Sequence, residues 1–204
     1  MASGDWNPDG EPEHDKTRNA LAARGYYQAF LAVKASIGKV LTEENAGIVV
    51  KRDHHDWYAE LFGPSVTAGI IEASQLAGYR RGPVFIRNSM HTPLPSEAIL
   101  DSLEALWEMI EAEPEACVRA VLGRHLFVFI HPYYDGNGRI GRFLMHTLLA
   151  SGGYPRTVIR MSRRDQYMKA LEAASVKGQI TPLAQFIVQE IREWAPERAG
   201  QWQP

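Results

Sequence analysis

With Cys117 its one cysteine, the chain has no means of closing an internal disulfide, which suits a reducing compartment. That thiol falls within a helical pattern, where it reads as a small core residue. No apolar run approaches the roughly 20 residues that a membrane span needs, and the opening stretch, Met1 to about Asp15, is acidic and turn-rich with no hydrophobic leader segment. A formal net charge of −2 and a pI near 6.4 leave no basic surface for direct nucleic-acid binding or for a membrane. The sequence holds no internal repeat, no low-complexity tract and no GxxxxGK[ST], so a P-loop is excluded. On these grounds the chain reads as cytoplasmic, with export as an effector the other course.

What is present is an ordinary globular composition, 45% hydrophobic and 23% charged over 204 residues, enough for one domain with a substantial core. Residues 1–15 read as a disordered lead-in or linker and 195–204 as a frayed tail. Between them the apolar residues recur at helical spacing almost throughout. Lys16 to Val40 predicts one helix, and residues 16–77 form a set of N-terminal helices packed on the core. Thr42 offers a cap for a second helix, with a break near Lys51 to His54, and a third fits Val66 to Leu76 before Gly78. His54 and His55, diverging by about 100° on a helix, read as surface histidines. Pro95 to Ile110 is amphipathic, with Ile99, Leu100, Leu103, Leu106, Trp107 and Ile110 as a core face. Pro114 opens the next helix, which runs to His131. Ser162 to Asp165 reads as a capping box, and Thr181-Pro182 starts a last helix with Leu183, Phe186, Ile187, Ile191 and Trp194 as its apolar side. One passage differs: Val84-Phe85-Ile86, followed by turn formers, predicts a short hairpin. The fold class is therefore all-α, a bundle of about six to eight helices with one short β-hairpin.

The chemistry is concentrated in His131-Pro132-Tyr133-Tyr134-Asp135-Gly136-Asn137-Gly138-Arg139-Ile140-Gly141-Arg142. The run Leu126 to Ile130 stops at His131, because Pro132 lacks an N–H and turns the preceding residue away from helical ψ. Ile140, Phe143, Leu144, Thr147 and Leu148 then resume a helix, so Gly136-Asn137-Gly138 lies at a helix start whose free N–H groups can converge on an anion. Arg139 and Arg142 sit in the first turn, where the helix dipole disfavours cations by about 0.3 to 1 kcal/mol each, so something anionic should compensate. Arginine forks match phosphate oxygens, and Asp135 could hold the Mg²⁺ that a polyphosphate brings. His131, with cations nearby, should have its pKa held down and serve as a neutral general base. GxGxxG is also satisfied, but no strand leads into it as a dinucleotide site requires. His125 and His146 read as hydrogen-bonded structural histidines.

The twelve residues closely resemble the Fic signature, HPF-x-[DE]-G-N-G-R-x-x-R, with Tyr133 for Phe as the one departure. The resemblance implies a Fic-type (Fido) helical core over about residues 78–194 and an Mg²⁺-dependent nucleotidyltransferase that moves AMP from ATP to a Tyr, Thr or Ser hydroxyl of a target protein. It implies His131 as base, Asp135 as Mg²⁺ ligand, Asn137 with the N–H groups of Gly136 and Gly138 around the α-phosphate, and Arg139 and Arg142 on the outer phosphates. It further implies that Val84, Phe85, Ile86 and Arg87 form a flap docking the target by strand addition, and that Tyr167 helps enclose the adenosine. Many Fic proteins carry an inhibitory [ST]-x-x-x-E-[GN] helix; no Ser or Thr here has Glu four residues on. The expectation is a constitutively active, toxin-like bacterial domain, or one restrained by a separate antitoxin-like chain or by a further segment, as a monomer or homo-oligomer. Rival readings are another donor or reaction on the same fold (UMP or phosphocholine transfer, a Doc-like kinase, removal of AMP) and a nucleotide-binding regulatory module. Doc proteins carry Lys at the position of Gly138, which argues against that branch.

Overall fold

Seven α-helices make up the described residues, 12–42 and 44–194, of this computed structural model: α1 (Pro12–Leu41), α2 (Ala46–Thr67), α3 (Ile99–Ala112), α4 (Ala116–Ile130), α5 (Asn137–Ala150), α6 (Arg164–Lys177) and α7 (Thr181–Trp194). The expected lead-in as far as residue 11 and the expected tail, 195–204, lie outside the described residues, and Pro12 to Asp15 open α1. The all-α class and the helix number agree with the sequence periods.

The boundaries that moved did so for local reasons. Asn45, rather than Thr42, caps α2: its Oδ1 accepts from the N–H groups of Gly47 (2.8 Å) and Ile48 (3.2 Å). No break interrupts α2 at residues 51–54, because Asp53 and His54 point into the protein while Lys51 and Arg52 remain in solvent. The expected third helix does not form. Gly69 takes φ 70° just past the end of α2 and stops it, leaving a short 3-10 turn at Ala73–Leu76. Likewise Ser162 is no N-cap: it lies in a 3-10 turn, Met161–Arg163, and α6 starts at Arg164 without a side-chain cap.

Helix α1 packs along α2, and α4 along α5, to form the centre. Gly25 lets α1 approach closely, since a Cβ there would meet the Leu61 carbonyl oxygen at 2.1 Å. Trp57, Phe127, Phe143, Leu144 and Leu148 fill the core, with Ile99, Leu103, Leu106, Trp107 and Ile110 of α3 closing one side and Leu183, Phe186 and Ile187 of α7 the other. A polar knot fastens α1 to α2 inside this core. Asp53 accepts hydrogen bonds from Ser36 (2.6 Å), Lys39 (2.8 Å) and Arg52 (2.7 Å), and Trp57 Nε1 donates to Ser36 Oγ (3.1 Å). Burial pushes the Asp53 carboxyl up, but the bonds from Arg52, Lys39 and Ser36 outweigh it and hold the pKa below the usual range. Its stabilisation is therefore present above the unfolded carboxylate pKa and is lost as pH falls through the lower folded one. Asp53→Ala should lower the unfolding free energy by about 1 to 3 kcal/mol in denaturant melts at pH 7, since Lys39 loses its carboxylate while Ser36 and Arg52 keep only the weaker bonds to the Ala32 carbonyl and Glu44.

The predicted hairpin is absent among the described residues. Residues 80–95 instead form an irregular strap with no strand pairing, turning where the Ser89 N–H meets the Ile86 carbonyl at 3.2 Å and Asn88 takes φ 59°. Burial still alternates along it, with Val84 and Ile86 half-buried and Phe85 91% exposed. The strand pattern is real, but its hydrogen-bonding is taken elsewhere. Arg80 ties the start of the strap to the end of α4. At the far end Glu172 of α6 accepts from Ser89 Oγ (2.6 Å) and from the Met90 N–H (2.7 Å).

Candidate active site

A helix C-terminus and a helix N-terminus meet at the signature loop. The carbonyl end of α4 carries the negative end of its dipole and would normally be left to solvent. Here side chains take its carbonyls in turn. His131, at φ 56° in the left-handed position that ends the helix, lies with Nδ1 3.2 Å from the Val128 oxygen. His91 Nε2 donates to Phe129 (2.8 Å), and Arg80 donates through Nη2 to Ile130 (3.5 Å) and through Nε to His131 (2.7 Å). Arg80 also donates to the carbonyls of Gly82 (2.8 Å) and Leu94, and its own N–H meets Pro132 O (2.9 Å). It is 3% exposed and caged entirely by carbonyls.

This arrangement fixes the protonation of His131. A carbonyl oxygen only accepts, so Nδ1 carries the proton and Nε2 is the basic nitrogen. Burial is the main cause that pushes the imidazole down to about 4, with the charges of Arg80 and His91 adding to it. The expected direction holds; the cation responsible is Arg80 rather than the signature arginines.

On the other side of the loop, Gly136 caps α5 at φ 83°, and a Cβ there would also strike the Phe62 ring at 2.9 Å, so two requirements demand glycine. A Cβ at Gly138 would meet nothing within 4 Å, so that part of the first turn borders open space. The Asn137 side chain does not reach into that space. It is 2% exposed, donates from Nδ2 to Tyr133 O (2.8 Å) and accepts at Oδ1 from Tyr133 N–H (2.9 Å). Its role is to close the loop on itself, and only its backbone N–H remains for an anion.

Arg139 and Asp135 pair at 2.8 Å, Arg139 lying over the Phe62 ring at 5.0 Å, while Asp135 also accepts from Gly136 N–H at 2.6 Å. The two charges expected to face a ligand thus neutralise each other. Arg142 is half-buried and pairs with no carboxylate among the described residues; burial lowers its pKa, with Arg124 the next cause. No cluster of three potential metal ligands occurs among the described residues. The Asp135 carboxylate, 45% exposed beside the glycines, suits an Mg²⁺ that takes one protein oxygen and completes its shell with phosphate and water.

Three sequence expectations change here. His54 and His55 are not surface residues: His54 is 2% exposed, its Nδ1 donating to Lys51 O (2.7 Å) and its Nε2 accepting from Tyr79 (2.9 Å). His55 hydrogen-bonds the Tyr133 hydroxyl at 3.1 Å, and Tyr133 stacks on Tyr58 with centroids 3.7 Å apart, so the oxygen that Tyr133 adds to the signature's phenyl ring has a partner. Tyr167 is 4% exposed, packed on Phe186 with the Arg124 guanidinium over its ring, so no face is open for an adenine to stack on. His146 is structural as expected, donating to Thr157 O (2.7 Å), whereas Nδ1 of His125 is buried without a partner. Arg80 and His91, missed in the sequence, are the groups that hold the loop; only an Arg-Arg pair upstream of the signature hinted at the first.

A profile of the Fic/DOC family matches residues 53–149. Among curated proteins, the chain is 46% identical over 68 residues to "Protein adenylyltransferase Fic" of Drosophila grimshawi, covering 33% of this chain and 14% of that one. It is 44% identical over 123 residues to the protein of the same name in Drosophila virilis, covering 58% and 25%. The chain thus spans about a quarter or less of the length of these relatives, and insect proteins lend nothing to a bacterial, toxin-like reading. Of solved structures, Fic-1 (residues 134–508) of C. elegans superposes with a TM-score of 0.74 at 19% identity, over 97% of this chain and 54% of that one, a likeness of fold. A Fic family protein from Desulfovibrio desulfuricans G20 gives 0.66 at 25% identity, over 94% and 55%.

Proposed function

The chain carries a Fic/DOC family domain at residues 53–149, and on that premise we propose that it transfers AMP from ATP to a hydroxyl side chain of another protein. The observation that carries this reading is the state of His131. A buried imidazole, neutral and with Nε2 as its basic nitrogen, stands directly before a glycine-bordered helix N-terminus flanked by two arginines.

In this reaction the target hydroxyl attacks the α-phosphorus, its proton passes to His131 Nε2, and the bond between the α-phosphorus and its bridging oxygen breaks to release pyrophosphate. His131 is the general base. The N–H groups of Asn137 and Gly138 face the α-phosphate, and Arg139 and Arg142 balance the charge of the outer phosphates. Mg²⁺ held by Asp135 would supply further charge neutralisation, for which Arg139 must leave the carboxylate. Phosphates are a natural exchange partner for that guanidinium, so donor binding itself would open the metal position. The strap at Val84 to Arg87 would present an extended edge to the target segment.

The test uses ATP labelled separately at the α- and γ-phosphate, incubated with the purified chain, Mg²⁺ and a cell extract. Label should pass to protein from the α position only. Transfer from γ would make the chain a kinase, and transfer from UTP but not from ATP would reassign the donor.

A further inference from the structure

Arg124 has no part in the site as the sequence defines it, yet it is among the least comfortable residues in the protein. It lies on α4 with 2% of its surface exposed, and its Nε and Nη1 are buried without a partner among the described residues. Among the described residues no carboxylate pairs with it. Instead its guanidinium lies on the α5 backbone, where a Cβ added at Gly141 would come within 2.6 Å of Nη1, and over the Tyr167 ring at 5.5 Å from the centroid. Its charge acts on Arg142 and adds to the depression of that residue's pKa. A buried unpaired guanidinium is strongly disfavoured, and a second one beside it doubles the difficulty.

The hydroxyl of Tyr167 belongs to the same cluster and is likewise buried with no partner among the described residues. Arginine nitrogens are donors without lone pairs to offer, and a phenol can donate as well, so what completes this group must be an acceptor. Its position follows from α5. Gly138, Gly141 and Arg142 stand at i, i+3 and i+4 and therefore share one face of the helix. Arg124 rests on that face at Gly141, one helical turn from the open space beside Gly138.

We propose that Arg124 is a third guanidinium of the phosphate site, which with the Tyr167 hydroxyl receives the outermost phosphate of the donor, one helical turn beyond the glycine loop. This rests on the reading of the chain as a nucleotidyltransferase and extends it: the site then selects a triphosphate over shorter donors. Gly141 is part of the same device, because any side chain there would displace the guanidinium. A carboxylate from another chain is the competing acceptor; the shared face of Gly138 and Gly141 favours a ligand anchored in the loop.

The test measures binding of ATP, AMP and inorganic tripolyphosphate by calorimetry in Mg²⁺ buffer, with the chain as it stands and with Arg124→Met and Arg124→Lys. Arg124→Met should weaken ATP and tripolyphosphate about 10-fold or more, the scale of a lost charge-assisted hydrogen bond, and leave AMP within about 2-fold. Arg124→Lys, which keeps the charge without the fork, should recover part of the loss. The melting temperature of Arg124→Met should not fall, because a methionine in that space is easier to bury. Unchanged ATP affinity in both variants, or equal weakening of ATP and AMP together with a lower melting temperature, would reduce Arg124 to a packing strut and overturn the proposal while leaving AMP transfer intact. Tripolyphosphate binding that depends on Arg124, in a chain that binds neither ATP nor AMP, would uphold the subsite and sink the nucleotide donor. Binding of none of the three by the unaltered chain would overturn both.

Discussion

Replacing His131 by alanine should lower α-label transfer by roughly 10² to 10⁴, the range general bases contribute, with the far-UV spectrum and melting temperature of the chain preserved. The substitution removes the basic nitrogen and the Nδ1 contact to the Val128 carbonyl, but Arg80 still holds the Ile130 and His131 carbonyls, so the loop keeps its main supports. The pH profile separates this role from a structural one. Burial disfavours the imidazolium, so the folded pKa lies near 4, below the ordinary 6.5, and the neutral form that accepts the proton persists down to about that pH. Transfer should therefore stay level from pH 8 to about 5.5 and fall only as pH approaches 4. A midpoint near 6.5 would mean that the imidazole is not held as described. Stability follows the same sign. His54, His125 and His146 are also pushed down, to about 3, 4 and 4, and the stability tied to neutral histidines is intact above about 6.5 and drains away as pH falls towards the folded values. Thermal melts at each pH identify the range in which loss of rate is loss of base rather than loss of fold.

Arg80→Ala should be nearly as damaging, by a different route. Its guanidinium serves the carbonyls of Gly82, Leu94, Ile130 and His131, and none of these is offered a replacement donor when it is removed. With about 1 to 3 kcal/mol for each buried carbonyl left unsatisfied and part of the loss recovered by water, destabilisation of about 3 kcal/mol is expected in denaturant melts. The end of α4 carries His131, and a shift of about 1 Å in the base costs on the order of 10²-fold in rate, so kcat should fall by about that factor at temperatures where the variant is folded. Arg80→Lys should restore stability better than rate, because an ammonium can satisfy one or two carbonyls but cannot span four. A variant with unchanged melting and unchanged kcat would show that the cage is incidental.

How much of this was legible beforehand divides along a physical line. Periodicity read most of the core faces of α3 and α7, because amphipathic surface helices advertise the side they bury, but Leu100, expected on that of α3, lies at its edge and is 66% exposed. The loop and its helix start were legible because glycine, proline and a run of apolar residues act locally. Competition between neighbouring signals was not: Asn45 against Thr42 as a cap and Gly69 against Gly78 as a stop were decided by which offered the better geometry in place. Least legible were the groups acting at long range. Arg80 binds carbonyls 50 residues further along, His91 reaches across 38, and Arg124 rests on a glycine of the next helix. In a single sequence each of these looks like an ordinary polar residue. Asn137 misled in the opposite sense, since its place beside two glycines suggests a ligand contact and its side chain is spent on Tyr133.

The strap deserves a last consideration as a problem in entropy. Residues 80–95 are held by Arg80 at one end and Glu172 at the other, with no strand pairing between them. A suspended span of this kind has already given up most of its conformational freedom during folding. On the proposed reading, a target segment laid along it would bear only its own ordering, and the affinity left over would be larger than if both partners had to be ordered at once. The span is also anchored through the same arginine that steadies His131. If, as proposed, the target docks on the strap, a pull on it would also be a pull on the end of α4, and target binding would be mechanically coupled to the position of His131.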